Sequence, residues 1–87
     1  SFSFEVAPNP NNGKVMKVFI TSAYVGEINI DIMDVLGKHI DSYSFELTES
    51  GQSTFNVEFA EKLSAGVYIV NAQTMNGKAI TKRLIVN

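Results

Sequence analysis

The sequence predicts an all-β domain, an antiparallel β-sandwich of about seven strands. Apolar residues alternate with polar residues in seven short segments, which is the period of a strand with one face in the core and one in water. No segment has the apolar spacing of a helix long enough to be stable. Turn-forming Gly, Asn and Pro residues separate the segments at intervals of about 8–12 residues, a spacing typical of sandwiches.

The alternation predicts strands at residues 2–6, 14–21, 27–34, 39–47, 53–59, 66–74 and 78–86. Their apolar faces, in chain order, are Phe2/Phe4/Val6, Met16/Val18/Ile20, Ile28/Ile30/Ile32, Tyr43/Phe45/Leu47, Phe55/Val57/Phe59, Tyr68/Val70/Ala72 and Ile80/Leu84/Val86. In the last segment Lys82 interrupts the apolar face. A chain of 87 residues has room for one domain with one thin core, and little room for an enclosed active site.

Turn chemistry separates these segments. The stretch PNPNNG at residues 8–13 cannot lie inside a strand, because proline lacks the N–H group and Asn-Gly favours positive φ. We expect one domain, with an entry segment (residues 1–13) and a sandwich body (residues 14–87). Its two prolines should hold the entry segment extended and without ladder hydrogen bonds, so that it separates this domain from any part of the protein that precedes it. Gly37 and Gly51 mark two further turns. Asn76-Gly77 predicts a two-residue type I′ hairpin turn.

Composition excludes several classes of function. The formal net charge of −2 gives no electrostatic case for binding nucleic acid or an anionic membrane. No cysteine is present, so neither a disulfide nor a thiolate metal site can form. No apolar run approaches the roughly 18–20 residues that span a bilayer. Because the chain begins at Ser1 rather than Met, we expect a piece of a longer precursor.

Charge changes sign along the chain. Residues 27–61 contain eight acidic residues and one base, Lys38. Residues 77–87 contain three bases, Lys78, Lys82 and Arg83, and no acidic residue. Two interpretations remain open: these are the solvated faces of strands, or the last strand is a basic element that a partner recognises.

No constellation of side chains predicts catalysis, so we expect no enzyme and no cofactor or metal. His39 is the only histidine, and without a nucleophile motif it is interpreted as a solvated turn residue. Asp31 and Asp34 fall on opposite faces of one strand, which does not suit calcium. Glu58 and Glu61 could be taken for an acid pair, but no neighbouring residue in the sequence suggests a catalytic role for them. The nine aromatic residues lie on the apolar faces, except Phe19, so core packing explains them better than a sugar-binding platform.

Three motifs occur together and in order: APNPNNGK at residues 7–14, IMDVLGK at residues 32–38, and LSAGVYIV at residues 63–70 with NGK and TKRLIV following at residues 76–78 and 81–86. This set resembles the C-terminal sorting domain of the type IX secretion system, in its type A form. The resemblance covers residues 6–86. Ser64 stands where family members often have proline, and Asn87 follows the last apolar run.

The resemblance implies an immunoglobulin-like sandwich of seven strands that directs an attached N-terminal cargo protein across the outer membrane of Bacteroidetes-type bacteria. It implies two partners besides the cargo: the type IX secretion machinery, and a sortase-like cell-surface peptidase that usually removes the domain. The implied location is the periplasm in transit, then the cell surface or the medium. The alternative is a non-catalytic binding module of a secreted protein, for carbohydrate or adhesion.

The candidate residues fall into two sets. The resemblance and the charge reversal assign recognition to the last strand, where we expect unpaired backbone groups at a sheet edge, and the set is Lys78, Lys82, Arg83, Leu84, Ile85 and Val86. The structural set is Pro8, Asn9, Pro10, Gly13, Gly37, Gly66, Tyr68 and Gly77. Within it, Gly66-Val67-Tyr68 resembles a tyrosine corner, whose hydroxyl bonds backbone just upstream.

Overall fold

A computed structural model of the protein describes residues 2–87, which form seven strands and no helix. The strands are β1 (Phe2–Ala7), β2 (Val15–Ser22), β3 (Gly26–Asp34), β4 (His39–Leu47), β5 (Gly51–Glu58), β6 (Gly66–Thr74) and β7 (Ala79–Val86). Each boundary lies within two residues of its predicted position. Among the described residues no helix is long and apolar enough to cross a membrane.

The strands form two antiparallel sheets, in the order β1-β2-β5 and β4-β3-β6-β7. The predicted all-β sandwich of seven strands is therefore confirmed. In a constant-type immunoglobulin domain the fourth strand joins the sheet of the first. Here β4 pairs with β3 instead, because the short loop after Asp34 can connect only neighbouring antiparallel strands. The predicted entry segment, residues 1–13, contains β1, which pairs with β2 in the three-stranded sheet.

The core lies between the sheets and contains the inward side chains of every strand. Ile28, Ile30 and Ile32 of β3 are 0% exposed, and Val18, Val70 and Leu84 are equally buried opposite and beside them. Each such side chain contributes roughly 1.5–3 kcal/mol relative to an exposed position. Between the edge strands β4 and β5, the rings of Phe45 and Phe55 stack with centroids 4.4 Å apart. The alternation seen in the sequence is therefore the alternation of core and solvent.

The hairpin between β6 and β7 differs from the predicted type I′ turn. The N–H of Thr74 bonds the carbonyl of Lys78 at 2.9 Å, so the loop has three residues rather than two. Gly77 has the expected positive φ of 94°, but Asn76 does not have positive φ. The loop is a type I turn closed by a glycine bulge.

Strand register explains the three-residue loop. Tyr68 lies opposite Leu84 and Ala72 lies opposite Ile80, so the inward-facing residues of β6 pair with the inward-facing residues of β7. A two-residue loop at Asn76-Gly77 would shift this register by one and turn one strand's apolar face to solvent. The hydroxyl of Thr74, which bonds Asn76 and the N–H of Lys78, stabilises the wider loop.

The hairpin between β3 and β4 has the same construction, which confirms the turn predicted at Gly37. The N–H of Asp34 bonds the carbonyl of Lys38 at 2.9 Å, and Gly37 closes the loop with φ of 85°. The Asp34 carboxylate accepts hydrogen bonds from the N–H groups of Leu36 and Lys38, both at 2.9 Å. The Asp34 side chain therefore stabilises the turn itself.

Candidate functional site

The last strand, β7, is an edge strand, and residues 8–12 lie along its free edge. We call residues 8–12 the clasp. The clasp bends at residues 8–10 instead of running extended as predicted, and the Ala7–Pro8 and Asn9–Pro10 peptide bonds are cis. β1, which precedes the clasp, lies beside β7 across the sandwich. The first and last strands of the described chain are therefore neighbours.

Asparagine residues of the clasp pair with the backbone of β7. The side-chain amide of Asn9 donates to the carbonyl of Arg83 at 2.7 Å and accepts from the N–H of Ile85 at 2.9 Å, as a neighbouring strand would. The backbone of Asn11 donates to the carbonyl of Ile85 at 2.7 Å and accepts from the N–H of Asn87 at 3.0 Å. The prediction that the backbone of the last strand is unpaired at the sheet edge is therefore wrong between Arg83 and Asn87.

Asn11 holds the clasp in place, although it was absent from the predicted site residues. Its side chain is 2% exposed and donates to the carbonyls of Pro8 and Val15, at 3.0 and 2.9 Å. Its side-chain oxygen accepts from the N–H of Gly13 at 2.7 Å, which is an Asx turn. Asn followed two residues later by Gly is the sequence signal that could have identified it. Every polar atom of this buried amide has a partner.

Gly13 lies at the point where the clasp meets the core. Its carbonyl accepts from the N–H of Leu63 at 2.9 Å, and its φ is +81°. A Cβ atom at this position would lie 2.6 Å from the Leu63 carbonyl oxygen and 3.2 Å from a methyl group of Val86. Glycine is therefore required here both for its backbone conformation and for the close approach.

The six predicted recognition residues face different directions. Leu84 and Val86 are buried in the core, at 0% and 3% exposure. Lys82 points to the same inner side, and its ammonium group lies 3.1 Å from the Glu5 carboxylate of β1. The other three side chains are exposed: Arg83 and Ile85 on the outer face of the sheet, and Lys78 at the hairpin. The three bases of the chain end therefore do not form one patch.

The predicted tyrosine corner is present at the start of β6. The Tyr68 side chain is 8% exposed, and its hydroxyl donates to the carbonyl of Ser64 at 2.7 Å. Gly66 begins the strand two residues earlier. This hydrogen bond fixes the loop of Leu63 and Ser64 to the four-stranded sheet. Because Leu63 also bonds Gly13, the same loop connects the clasp to that sheet.

We predict that Tyr68→Phe lowers the free energy of unfolding by about 1 kcal/mol, because it removes one buried hydrogen bond and keeps the ring. In a domain of this size the melting temperature should fall by roughly 4–8 °C. Thermal unfolding of the two proteins measures the difference. An unchanged melting temperature would mean that water replaces the hydroxyl at no cost.

A cavity of about 210 Å³ lies next to Tyr68, between β4 and the loop of residues 59–64. Asp41 lines this cavity, and its carboxylate accepts a hydrogen bond from the hydroxyl of Tyr43 at 2.9 Å. Burial, and then the hydrogen bond and charge of Asp41, raise the pKa of Tyr43 well above its ordinary value. Tyr43 therefore remains neutral and donates its hydroxyl proton to Asp41 in a hydrogen bond.

His39, Ser42 and Asp31 form the one chain of polar side chains that resembles catalytic machinery in the described part of the protein. Contrary to its interpretation as a turn residue, His39 begins β4, and its Nε2 lies 2.7 Å from Ser42 Oγ. The Ser42 hydroxyl donates to Asp31 at 2.6 Å, so its proton points away from the imidazole. A nucleophilic serine needs the opposite arrangement, with histidine between serine and aspartate. Residues 2–87 also contain no cluster of three or more metal-ligating side chains.

The sequence model of a known family, the secretion system C-terminal sorting domain, matches residues 5–87. The chain belongs to this family. This sorting domain is thus a C-terminal sorting signal for type IX secretion. Its function involves the type IX secretion machinery and an attached cargo protein, and it leads to export to the cell surface or to secretion.

Comparison with other proteins adds information on the fold alone. A search of curated proteins found no match to the sorting domain. Among solved structures, it is similar to part of a β-glucosidase from Listeria innocua, determined in complex with glucose, with 17% identity and a TM-score of 0.53. The similarity covers 100% of the sorting domain and 16% of the glucosidase chain. At this identity the likeness supports a shared sandwich architecture and transfers no activity.

Proposed function

We propose that residues 1–87 form one sorting domain that takes an N-terminally attached cargo protein from the periplasm across the outer membrane. A sortase-like peptidase at the cell surface then removes the domain, and the cargo is anchored or released. The observation that carries the proposal is the family match over residues 5–87. The geometry supports it, because the proline-asparagine motif and the last strand, which lie far apart in sequence, form one unit.

Within this function, residues 78–86 are the element that the secretion machinery recognises. Some of their side chains hold the strand in the domain, and others are free to contact a partner. Leu84 and Val86 keep β7 in the core, and Lys82 pairs with Glu5. Lys78, Arg83 and Ile85 are exposed and can contact a partner. The structural set acts indirectly. Asn9 bonds the end of β7, Pro8 accepts a hydrogen bond from Asn11, and Pro10 lies between these two asparagines in the clasp. Gly13 and Tyr68 hold the neighbouring loop, and Gly37, Gly66 and Gly77 shape turns and strand starts.

A reporter protein directed to the periplasm by its own signal peptide tests the sorting function. It is expressed in a bacterium that has the type IX system, once with residues 1–87 at its C-terminus and once with an unrelated β-sandwich there. We expect the first fusion at the cell surface or in the medium and the second in the periplasm. In a strain without the secretion machinery both should remain in the periplasm. Retention of the first fusion, with a cooperative melt of the isolated domain, would contradict the proposal.

Mass spectrometry of the exported reporter tests the peptidase step. We expect a reporter that has lost residues 1–87 or most of them. An exported reporter that still carries the intact domain would refute removal and leave the sorting function standing.

The alternative of a carbohydrate-binding module has no specific observation in its favour. Such a module needs exposed aromatic rings on one face, and among residues 2–87 the one aromatic residue classed as exposed is Phe19, at 40%. It lies on the outer face of the three-stranded sheet, opposite Glu5 and Thr54. A single phenylalanine between polar neighbours is not a stacking platform.

A further inference from the structure

The end of β7 offers only one of its sides to a partner. Its free edge is covered, because Asn9 and Asn11 bond the backbone of Arg83, Ile85 and Asn87. A partner strand could pair there only after the clasp had moved away. Its inner side chains, Leu84 and Val86, are in the core. The outer side chains are therefore what a partner can reach without unfolding part of the domain.

These outer side chains belong to an apolar surface shared with β6. Val67 lies directly opposite Ile85, and Ile69 lies directly opposite Arg83. Val67 and Ile85 are 37% and 41% exposed, and Ile69 is half-buried. We name the four residues Val67, Ile69, Arg83 and Ile85 the outer corner. Its apolar side chains are in contact range across the two strands, so they present one continuous patch.

The apolar character is confined to this end of the two strands. Further along the same face, Asn71 lies opposite Thr81, whose hydroxyl bonds the Asn71 side chain at 3.2 Å. The next pair on that face is Gln73 and Ala79. An ordinary solvated sheet face would be polar throughout, as this half is. The outer corner departs from that pattern where the strand reaches the end of the chain.

Arg83 adds a charge to the outer corner. The ion pair found among residues 2–87 joins Lys82 and Glu5, and Arg83 takes no part in it. Its guanidinium is exposed, and its neighbour across the strand is the apolar Ile69. A guanidinium in apolar surroundings binds best to a carboxylate, which it can meet with two parallel hydrogen bonds.

We propose that the secretion machinery recognises this domain by binding the outer corner. The binding surface on the machinery is apolar and carries a carboxylate that pairs with Arg83. The proposal rests on the proposed sorting function and adds the surface and the chemistry of the partner. Arg83 and Ile85 carry recognition from β7, and Val67 and Ile69, which lie outside the recognition segment of residues 78–86, belong to the same site. Lys82 and Lys78 are not part of it.

A pair of charge variants on adjacent residues tests the charge. Arg83→Gln and Lys82→Gln each remove one positive charge from β7, on opposite faces of the strand. We expect Arg83→Gln to reduce the exported fraction of the reporter on the order of tenfold, the loss expected when an interface arginine is removed. Lys82→Gln should leave it near the wild-type level. Equal effects of the two variants would overturn the role of Arg83.

A pair of apolar variants tests the patch. Val67→Thr with Ile85→Thr makes the outer corner polar and keeps β-branched side chains, which suit a strand. The matched control is Val15→Thr with Phe19→Thr, two side chains 45% and 40% exposed on the outer face of the other sheet. We expect the first pair to reduce export strongly and the control pair to have little effect. Thermal melts of the isolated domains exclude loss of folding as the cause.

Asn9→Ala distinguishes the outer corner from the strand edge. It removes the two side-chain bonds to β7 and leaves the outer corner unchanged, so export should stay within about twofold of wild type. Increased export would show that the edge is read once the clasp is loosened, and would overturn the proposal. Failure of the wild-type fusion to be exported would instead refute the sorting function on which the proposal rests.

Discussion

Replacing Gly13 by alanine is expected to lower the free energy of unfolding by about 3 kcal/mol or more, a large part of the stability of a domain of this size. Two costs add up. The φ of +81° strains any residue with a Cβ by roughly 1–3 kcal/mol. The added Cβ would also lie 2.6 Å from the backbone oxygen of Leu63, which cannot rotate away as a side chain can. Urea unfolding of the isolated domain measures the loss.

Gly37→Ala is the matched control. Gly37 has nearly the same φ, +85°, and a Cβ there would meet nothing within 4 Å. It should therefore cost only the conformational strain, about 1 kcal/mol. Equal losses from the two variants would show that the loop of Leu63 moves aside freely, and that the close approach at Gly13 has no energetic weight.

Asn11→Ala is expected to cost about 3 kcal/mol. The substitution removes three side-chain hydrogen bonds, and it leaves the buried N–H of Gly13 without its acceptor. Each buried polar group that loses its partner costs roughly 1–3 kcal/mol. The clasp should loosen from β7 at the same time, because the backbone of Asn11 bonds both Ile85 and Asn87. Hydrogen exchange at the amide of Asn87 reports that loosening directly.

Asn12→Ala is the control for this second prediction. Asn12 is the next residue and also makes an Asx turn, since its side chain accepts from the N–H of Lys14 at 2.9 Å. It is exposed, so water can replace that bond, and the loss should stay below about 1 kcal/mol. If Asn12→Ala were as costly as Asn11→Ala, burial of the amide would not be what stabilises the clasp.

Both substitutions bear on sorting through structure. Gly13 and Asn11 contact or bond the last residues of β7, and the outer corner lies on the same strand. Gly13→Ala and Asn11→Ala, which disturb the buried contacts with Leu63, Val86 and Val15 as well as the edge of β7, should lose export together with stability. Arg83→Gln should lose export with stability retained, which separates recognition from support.

The sequence by itself determined the strands, the fold class and the family. Period-two alternation located all seven strands to within two residues, because a thin two-layer core requires one apolar face from every strand. The tyrosine corner could also be predicted, since Tyr68 follows Gly66 at a strand start and its partner at Ser64 is local. The hairpin at Gly77 was mispredicted, although the inner-face pairing of Tyr68 and Leu84 already demanded a three-residue loop.

The tertiary structure alone decided which surfaces of the chain end are free. The clasp joins Asn9 to Arg83 and Ile85 across more than 70 residues of sequence, and no local pattern encodes a contact of that range. Likewise, sequence places Lys78, Lys82 and Arg83 in one basic run, whereas strand geometry sends Lys82 inward to Glu5 and Arg83 outward beside Ile69. Successive side chains of a strand point to opposite faces, so residues that are neighbours in sequence belong to different surfaces. Which surface is buried, covered or exposed depends on the strands that pack around it.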